Sequence, residues 1–206
     1  MKKISILILF ALMTTGVFAQ FQISAGGGIF MDMSFFNGYT IGDINVGYRN
    51  LGCSAFIFLD AVYAELGIGF GYGMMSKVVK RSPVPIEGKP DFGDLWQLDL
   101  SVMGKYPFEL GPVTLFPLFG ASYKCVLFGK EPGTASLPHK NKEFNQFGLL
   151  AGIGLDHDLI ESLYLRAELL FHLRFPMEFV RQNLPPGASA TNGAGGRFKV
   201  GIGYRF

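Results

Sequence analysis

The residues best suited to acid–base chemistry are the three histidines. His172, with Glu168 on the same strand face, and His139 and His157, near a loop and a turn, are candidates for a base and the group that orients it. No serine lies beside His172 in the pattern, His139 lies in a proline-flanked segment, and His157 lies in a short polar turn. Because this leaves a base without a nucleophile, the sequence predicts a protein that is not an enzyme.

Binding motifs are also missing. The histidines and the separated Cys53 and Cys125 lack metal-ligand spacing, and Gly26–Gly28 precedes no helix that could hold a phosphate, so we expect neither metal nor cofactor. The chain has 18 basic and 16 acidic residues, and this near-neutral balance does not indicate nucleic acid binding. The even number of cysteines would allow a disulfide. However, the two cysteines lie on segments that we place on non-neighbouring strands, which favours free thiols.

The remaining charged residues alternate with apolar ones, as on β-strands. Between Arg197 and Phe206, every second residue is apolar and the others are Arg, Lys or Gly. A chain that stops on an apolar residue, with nothing left to cover that face, favours lipid as the covering medium. With Tyr204 third from the end and Phe206 last, this ending resembles the C-terminal signature of bacterial outer-membrane β-barrels. The resemblance implies that the barrel-assembly machinery recognises Tyr204 and Phe206.

The start of the chain is typical of a secretory signal. Two lysines precede an apolar run from Ile4 to Leu12, and Val17–Ala19 fits a small-residue cleavage site, so we interpret residues 1–19 as a removed signal peptide. The alternative is a membrane-anchoring helix, but the apolar run is shorter than the roughly 20 residues that span a bilayer. The residue directly after the cleavage site is Gln20 and not a cysteine, which argues against a lipoprotein.

Seven further segments alternate in the same way. They are Phe21–Phe30, Ile44–Leu59, Val62–Tyr72, Asp94–Tyr106, Val113–Cys125, Phe144–Asp156 and Leu163–Arg174. Short turns should connect them at one end, and long loops at the other, over Met31–Gly42, Gly73–Gly93, Val126–Glu143 and Phe175–Gly196. We also expect a bulge within Gly47–Gly52 and a local irregularity at Pro117, which cannot donate a ladder hydrogen bond.

These segments predict an all-β fold: an eight-stranded antiparallel transmembrane β-barrel over residues 20–206, an up-and-down meander with short periplasmic turns and long extracellular loops. A soluble lipocalin-like barrel is the alternative, but its apolar face would point inward, whereas the other face here is small or charged. The chain resembles the small eight-stranded outer-membrane proteins: the OmpA transmembrane domain, OmpX and the outer membrane protein W group. The resemblance implies a bacterial outer-membrane location with membrane lipid as a partner.

The face opposite the apolar one should line the lumen. Its charged candidates are Glu65, Asp99, Lys105, Lys124, Arg166, Glu168, His172, Arg174, Arg197, Lys199 and Arg205. Such groups must pair with each other or meet water, because an isolated buried charge costs several kcal/mol. One interpretation is an ion-pair plug, and the other is a polar path, with space left by inward glycines such as Gly67, Gly69 and Gly154. The same glycines could instead make room for large neighbours.

Two functions remain open. The first is a small passive pore or uptake protein for small, possibly hydrophobic solutes. An outer membrane protein W-like protein would release such a solute through the wall, for which Pro117 is a weak hint. The second is a surface adhesion protein that binds host molecules through its loops and uses the barrel as an anchor. The loops Gly73–Gly93 and Phe175–Gly196 contain few aromatics and much Pro, Gly and Lys, which is less typical of a preformed binding surface.

Overall fold

The structure is a computed structural model that describes residues 23–81, 91–129, 145–176 and 184–206. Ten strands form one antiparallel sheet, and eight of them are long. The strands are β1 Ile23–Ile41, β2 Ile44–Ala61, β3 Ala64–Arg81, β4 Asp91–Lys105, β5 Phe108–Leu110, β6 Val113–Gly129, β7 Gln146–Asp158, β8 Leu163–Arg174, β9 Ser189–Ala190 and β10 Gly193–Arg205. The described residues include no helix long and apolar enough to cross a membrane.

The eight long strands close into a ring. Each long strand pairs with the next one along the chain, and β10 pairs with β1 from Ser24–Arg205 to Phe36–Gly193. The two short strands lie outside the ring, β5 against β6 and β9 against β1. Closure removes the sheet edges that an open sheet would expose. The predicted eight-stranded meander barrel is therefore confirmed.

The outer face forms an uncharged belt. In the part of the chain that is described, the outward positions of the ring strands between the two barrel ends carry Leu, Ile, Val, Phe, Met, Ala and similar residues, and no Asp, Glu, Lys or Arg. Many of these side chains are well exposed, including Ile57 at 64% and Phe119 at 65%. An apolar surface of this extent is stable only against lipid or another apolar phase.

Aromatic side chains mark both ends of the belt. At one end Trp96 stacks with Phe70 and contacts Tyr72 and Phe128, with ring centroids 5.4 to 5.7 Å apart. At the other end Tyr106 lies 6.1 Å from Tyr63 and 5.2 Å from Phe108, and Tyr204 lies 5.3 Å from Phe206. Amphipathic rings favour the boundary between hydrocarbon and water, so two such girdles are typical of a membrane barrel.

We name the barrel ends by their connections. The turn end holds the connections β2–β3, β4–β6 and β7–β8 and the C-terminus, and the loop end is opposite. The strands differ in length at the loop end, where β1, β2 and β3 have 19, 18 and 18 residues and β7, β8 and β10 have 13, 12 and 13. Crossing a bilayer takes about 9–11 residues, so the wall formed by the long strands rises beyond the belt.

The prediction of a long loop at Met31–Gly42 is wrong. Strand β1 continues to Ile41, and its alternation persists, with Met31 and Met33 outward and Asp32 and Ser34 buried. The dipeptide Asn37–Gly38, which looked like a turn, is the site of a register shift inside the strand. The actual turn is Gly42–Asp43, where Gly42 has a φ of 52°, a conformation that glycine adopts without strain.

Other predicted boundaries also move. Strand β3 extends to Arg81 and β6 to Gly129, because long β-ladders continue into segments rich in Gly and Lys that resemble loops. The expected bulge within Gly47–Gly52 is absent from the β2–β3 ladder, and the β6–β7 ladder runs through Pro117 without a shift. The shift in β6 occurs instead near Leu127, opposite Trp96 and Gln97. The signal segment and His139 lie outside the described residues.

Candidate functional site

The candidate site is the interior of the barrel, because the inward positions of the strands bring charged residues from all around the ring together. The structure buries nine of the eleven charged candidates and leaves Lys105 and Arg205 partly buried at the turn end. The nine are Glu65, Asp99, Lys124, Arg166, Glu168, His172, Arg174, Arg197 and Lys199. These side chains separate into two groups along the barrel axis.

The turn-end cluster is organised around Arg166. Its guanidinium donates two hydrogen bonds to Asp156, at 2.7 Å each, and one to Glu65 at 2.6 Å. Another hydrogen bond joins it to Asp60 at 2.5 Å. The guanidinium also lies 4.6 Å from the ring centre of Phe58 and 5.2 Å from that of Phe116. One buried cation thus joins carboxylates from three other strands, with aromatic rings on its faces.

Two lysines complete the turn-end cluster. Lys199 Nζ lies 2.8 Å from Glu65 and 2.7 Å from Glu168, and Lys105 Nζ lies 2.6 Å from Asp60. The cluster therefore contains four carboxylates and three cations. The carboxylates are those of Asp60, Glu65, Asp156 and Glu168, and the cations are Lys105, Arg166 and Lys199. Each lysine ammonium contacts at least one carboxylate at hydrogen-bonding distance.

The loop-end cluster consists of Asp32, Asp99, Lys124, His172, Arg174 and Arg197. Arg197 is its best-bonded member, with two hydrogen bonds of 2.8 and 2.7 Å to Asp99 and two of 2.9 and 3.3 Å to Asp32. Its guanidinium lies 4.4 Å from the ring centre of Phe30. Arg174 donates one hydrogen bond of 2.9 Å to Asp32. Both carboxylates are therefore bonded to arginine.

Several polar atoms of the loop-end cluster have no hydrogen-bond partner among the described residues. They are Nζ of Lys124, Nε and Nη1 of Arg174, both ring nitrogens of His172, and Oδ1 of Asp32. Nearby inward side chains, Gln97 and Ser122, are also buried without a partner in the described chain. Buried donors of this kind carry a desolvation cost that nothing in this part of the barrel offsets.

An apolar layer lies inside the barrel on the loop side of this cluster. It is formed by Val46, Tyr48, Met75, Leu95 and Val126, each 6% exposed or less. Leu184 and Ala190, from the connection between β8 and β10, pack against it together with Tyr39 and Val79. The layer lies inside the tall part of the wall, where β2, β3, β4 and β6 extend towards the loop end.

Inward glycines do not leave the interior empty. A Cβ atom added at Gly69 would lie 2.5 Å from the Phe30 ring, and one added at Gly154 would overlap the Phe116 ring. Likewise, the Ser101 hydroxyl occupies the position beside Gly67. Aromatic and polar neighbours thus use the room that these glycines provide, as one of the two sequence interpretations expected.

A cavity of about 260 Å³ opens at the turn end. Asp60, Lys105 and Asp156 of the turn-end cluster line it, together with Tyr164 and Arg205. Arg205 pairs there with Asp158 at 2.7 Å, and Tyr164 shares a buried hydrogen bond of 2.9 Å with Ser24. The turn-end cluster is therefore reached by solvent from this side.

Three important carboxylates were missed by the sequence analysis. Asp32 lies in a segment predicted as a loop, and Asp60 and Asp156 lie at predicted turns. A usable signal existed for Asp32, because the alternation of Met31, Asp32 and Met33 continues that of the preceding strand. The same alternation reaches Asp60 after Phe58 and Asp156 after Gly154, but each lies at a strand end, where an aspartate also fits an ordinary turn.

The candidate acid–base residues do not form a unit. His172 belongs to the loop-end cluster, with Nδ1 3.6 Å from Asp32, whereas Glu168 belongs to the turn-end cluster. His157 is exposed near the turn end of β7. The described residues contain no group of His, Cys, Asp and Glu that could hold a metal ion. Cys53 and Cys125 are free and lie on β2 and β6, which are not neighbours.

Comparison with solved structures identifies the fold. The barrel is similar to the outer membrane protein OprG from Pseudomonas aeruginosa, with a TM-score of 0.50 and 11% identity over 90% of this chain and 96% of that one. The chain has the fold of the small outer-membrane barrels. The attachment invasion locus protein Ail of Yersinia pestis, solved with the heparin analogue sucrose octasulfate, matches with a TM-score of 0.44 and 14% identity over 91% of this chain and 99% of that one.

No protein-family model and no curated protein sequence matches the chain. The barrel fold therefore rests on its own geometry and on the likeness to OprG. The likeness to OprG, an outer membrane protein, agrees with the predicted fold of a small outer-membrane barrel. At 11% identity this likeness concerns the fold alone.

Proposed function

We propose that this barrel resides in the bacterial outer membrane and takes up small apolar solutes through its loop end. The observation that carries the proposal is the apolar layer of Val46, Tyr48, Met75, Leu95 and Val126 inside the barrel. A wall that projects into water would ordinarily have a polar inner face. An apolar inner face at this position offers a solute a place to leave water before it enters the membrane.

The filled interior favours uptake into the wall over a water-filled axial pore. The turn-end cluster blocks the axis with Arg166 and its carboxylates, and a packed cluster of Met103, Phe116, Leu118, Leu150 and Leu170 lies beside it. Moving water or ions through this section would require buried ion pairs to separate, which costs several kcal/mol. The proposal therefore does not include steady ion conduction.

A groove on the outer wall supports a lateral exit. It has a volume of about 320 Å³ and lies over Gly67, Ser101 and Ser122, between outward residues such as Leu100 and Tyr123. The wall is thin there, because these three inward residues have small side chains. Ser122 is two positions from Lys124, so the groove lies close to the loop-end cluster. Pro117 gives no support for the exit, since its ladder is regular.

Surface adhesion is the competing proposal, and the tall wall is the observation that favours it. Beyond the belt, Arg49 on β2 is exposed on the outer face, over the Phe35 ring, and Lys77 on β3 is exposed at the inner side of the rim, so the tall wall presents basic side chains on a rigid support. A protein that acts only through this surface would not need an apolar inner layer. The two proposals therefore make opposite predictions for substitutions inside and outside the wall.

Entry of an apolar fluorescent probe into cells that express the chain tests uptake. We expect faster entry with the barrel than without it, and a loss of that gain for Leu95→Arg, which places a charge in the apolar layer. Arg49→Glu, on the outer face of β2, is the control, and the probe should enter these cells at the original rate. Equal entry with and without the barrel would contradict uptake, and adhesion lost only in Arg49→Glu would support the competing proposal.

Conductance in planar bilayers tests the closed interior separately. The refolded barrel should be silent, because ion pairs and packed side chains fill its section. Steady openings, altered when Arg174 or Arg197 is neutralised, would instead support a water-filled lumen and the simpler passive pore.

A further inference from the structure

The loop-end cluster has more positive charge than its own carboxylates can match. Lys124, Arg174 and Arg197 are the basic side chains, and Asp32 and Asp99 are the carboxylates in contact with them. Arg197 already binds both carboxylates. Lys124 and Arg174 must therefore share what remains of Asp32, and the group carries one positive charge in excess.

The excess charge coincides with unused donors. Lys124 Nζ lies 3.7 Å from Asp32 Oδ1 and makes no hydrogen bond to the described chain. Arg174 uses Nη2 for Asp32 but leaves Nε and Nη1 without an acceptor in the described chain. The side chains are 3% and 0% exposed. Asp32 Oδ1 is also unpartnered, but this one oxygen cannot accept from Lys124 Nζ and from both Nε and Nη1 of Arg174, so the two buried cations have more donors than the site has acceptors.

The apolar layer begins directly beside these donors. On β6, Val126 and Lys124 both point inward with one residue between them, and on β4 Leu95 and Gln97 are related in the same way. A ligand held by Lys124 and Arg174 would therefore extend against Val126 and Leu95. Leu184 packs on the same layer, so it contacts the surface against which the apolar part of the ligand would lie.

We propose that the site binds an amphipathic carboxylate, with its head group on Lys124 and Arg174 and its apolar chain against the apolar layer. This inference rests on the proposed uptake function and names the chemical class of the solute. The carboxylate accepts hydrogen bonds from Arg174 Nε and Nη1 in the two-point geometry that guanidinium groups favour, and one from Lys124 Nζ. The apolar chain of the ligand then makes the contacts with the apolar layer that Leu184 makes in its absence.

Equilibrium binding to the barrel in lipid nanodiscs tests the proposal, with empty nanodiscs as the background. The probes are octanoate, octan-1-ol, which has the same chain without the charge, and acetate, which has the charge without the chain. We expect octanoate to bind at least about tenfold more tightly than either one, since each charged hydrogen bond and the buried chain contribute separately.

Variants then assign the head-group site. Lys124→Met and Arg174→Gln should each weaken octanoate binding by about tenfold and leave octanol binding unchanged. Arg49→Gln removes an exposed arginine from the outer face of β2 and should leave the binding of octanoate and of octanol unchanged. Lys124→Arg keeps the charge and should retain octanoate binding. Retained binding in this variant would show that the loss of octanoate binding in Lys124→Met comes from the missing charge and not from misfolding. A folded-barrel shift on a gel without boiling is checked for every variant.

The possible failures are distinguishable. Equal binding of octanoate and octanol, unaffected by Lys124→Met, would overturn the carboxylate class and leave the uptake of apolar solutes intact. Acetate binding as tightly as octanoate would overturn the amphipathic class in favour of a small-anion site. If neither octanoate nor octanol binds and the fluorescent probe does not enter cells, the uptake function fails together with this inference.

Discussion

The two ion clusters inside the barrel contain similar residues but differ in how well their hydrogen bonds are made. In the turn-end cluster Arg166 donates hydrogen bonds to three carboxylates and Lys199 contacts two, and the described atoms there without a hydrogen-bond partner are carboxylate oxygens, of Asp60 and Glu168, rather than donors of the cations. In the loop-end cluster Arg197 is similarly bonded, but Lys124 and part of Arg174 are not bonded to the described chain. The turn-end cluster has the bonding of a structural brace, whereas the loop-end cluster has that of a binding site without its ligand.

The difference follows from the balance of carboxylates. Four carboxylates face three cations at the turn end, so each cation finds acceptors. At the loop end two carboxylates face three cations. A fully bonded buried network stabilises a single arrangement, while a partly bonded one is costly until another molecule completes it. The turn-end cluster thus stabilises the barrel, and the loop-end cluster, at the opposite end of the interior, is the binding site.

Removing Arg166 should have the largest effect of the substitutions that test this difference. Arg166→Met leaves Asp60, Glu65 and Asp156 with fewer buried partners, and we expect the free energy of unfolding to fall by about 3–5 kcal/mol. Denaturant unfolding in micelles, followed by fluorescence of the single tryptophan, Trp96, measures it. A loss below about 1 kcal/mol would contradict the role of Arg166 as the brace.

The two buried lysines provide a matched pair. Lys199 Nζ contacts Glu65 and Glu168 at 2.8 and 2.7 Å, so Lys199→Met should lower the free energy of unfolding by about 2–3 kcal/mol. The same unfolding experiment applies. Equal losses for Lys199→Met and for Lys124→Met would remove the distinction between the clusters.

A neutral hydrogen bond at the turn end should matter less. Tyr164→Phe removes the bond of 2.9 Å to Ser24 and leaves the serine hydroxyl buried. We expect a loss of about 1 kcal/mol in the free energy of unfolding. Ser24→Ala, with the Tyr164 hydroxyl left in place, should cost a similar amount, and the double variant less than the sum of the two. Additive losses would mean that the two groups do not act together.

Removing Lys124 should have the smallest effect. Lys124→Met deletes a buried cation that makes no hydrogen bond to the described chain and equalises cations and carboxylates in the loop-end cluster. We expect the free energy of unfolding to change by less than about 1 kcal/mol in either direction, because the lost attraction to Asp32 is offset by the removed cost of burial. A loss of the size expected for Arg166→Met would show that Lys124 is part of a brace.

The barrel could be predicted from alternation because alternation reports directly which side of a strand faces lipid. Strand β8, Leu163–Arg174, matches its predicted range to the residue. Prediction failed where strands leave the belt: beyond Phe30, β1 contains the turn-like dipeptide Asn37–Gly38, and beyond Tyr72, β3 contains the basic run Lys77–Arg81, but both strands continue their ladders. Composition there reflects the surrounding water, while pairing with a neighbouring strand decides the conformation.

The partners of the charged residues could not be predicted. Arg166 is on β8, and it meets Asp60 and Glu65 on β2 and β3, across the barrel. Which inward residues share a level depends on the stagger of the strands around the ring, and alternation within each strand carries no information about that stagger. The inward position of Lys124 followed from its strand, whereas its lack of a hydrogen bond needed the complete arrangement.

The uneven wall has a further consequence for how these molecules behave side by side. Where β1 and β6 rise above their shorter neighbours, their backbone edges could pair with those of an adjacent barrel in a crowded membrane. Strand β9 pairs with Tyr39 and Thr40 on one edge, and the Asn145 side chain accepts a hydrogen bond of 2.9 Å from the Val126 amide on the other. Strand β9 and the Asn145 side chain thus occupy backbone groups on these two strand edges, which opposes edge-to-edge pairing between neighbouring barrels.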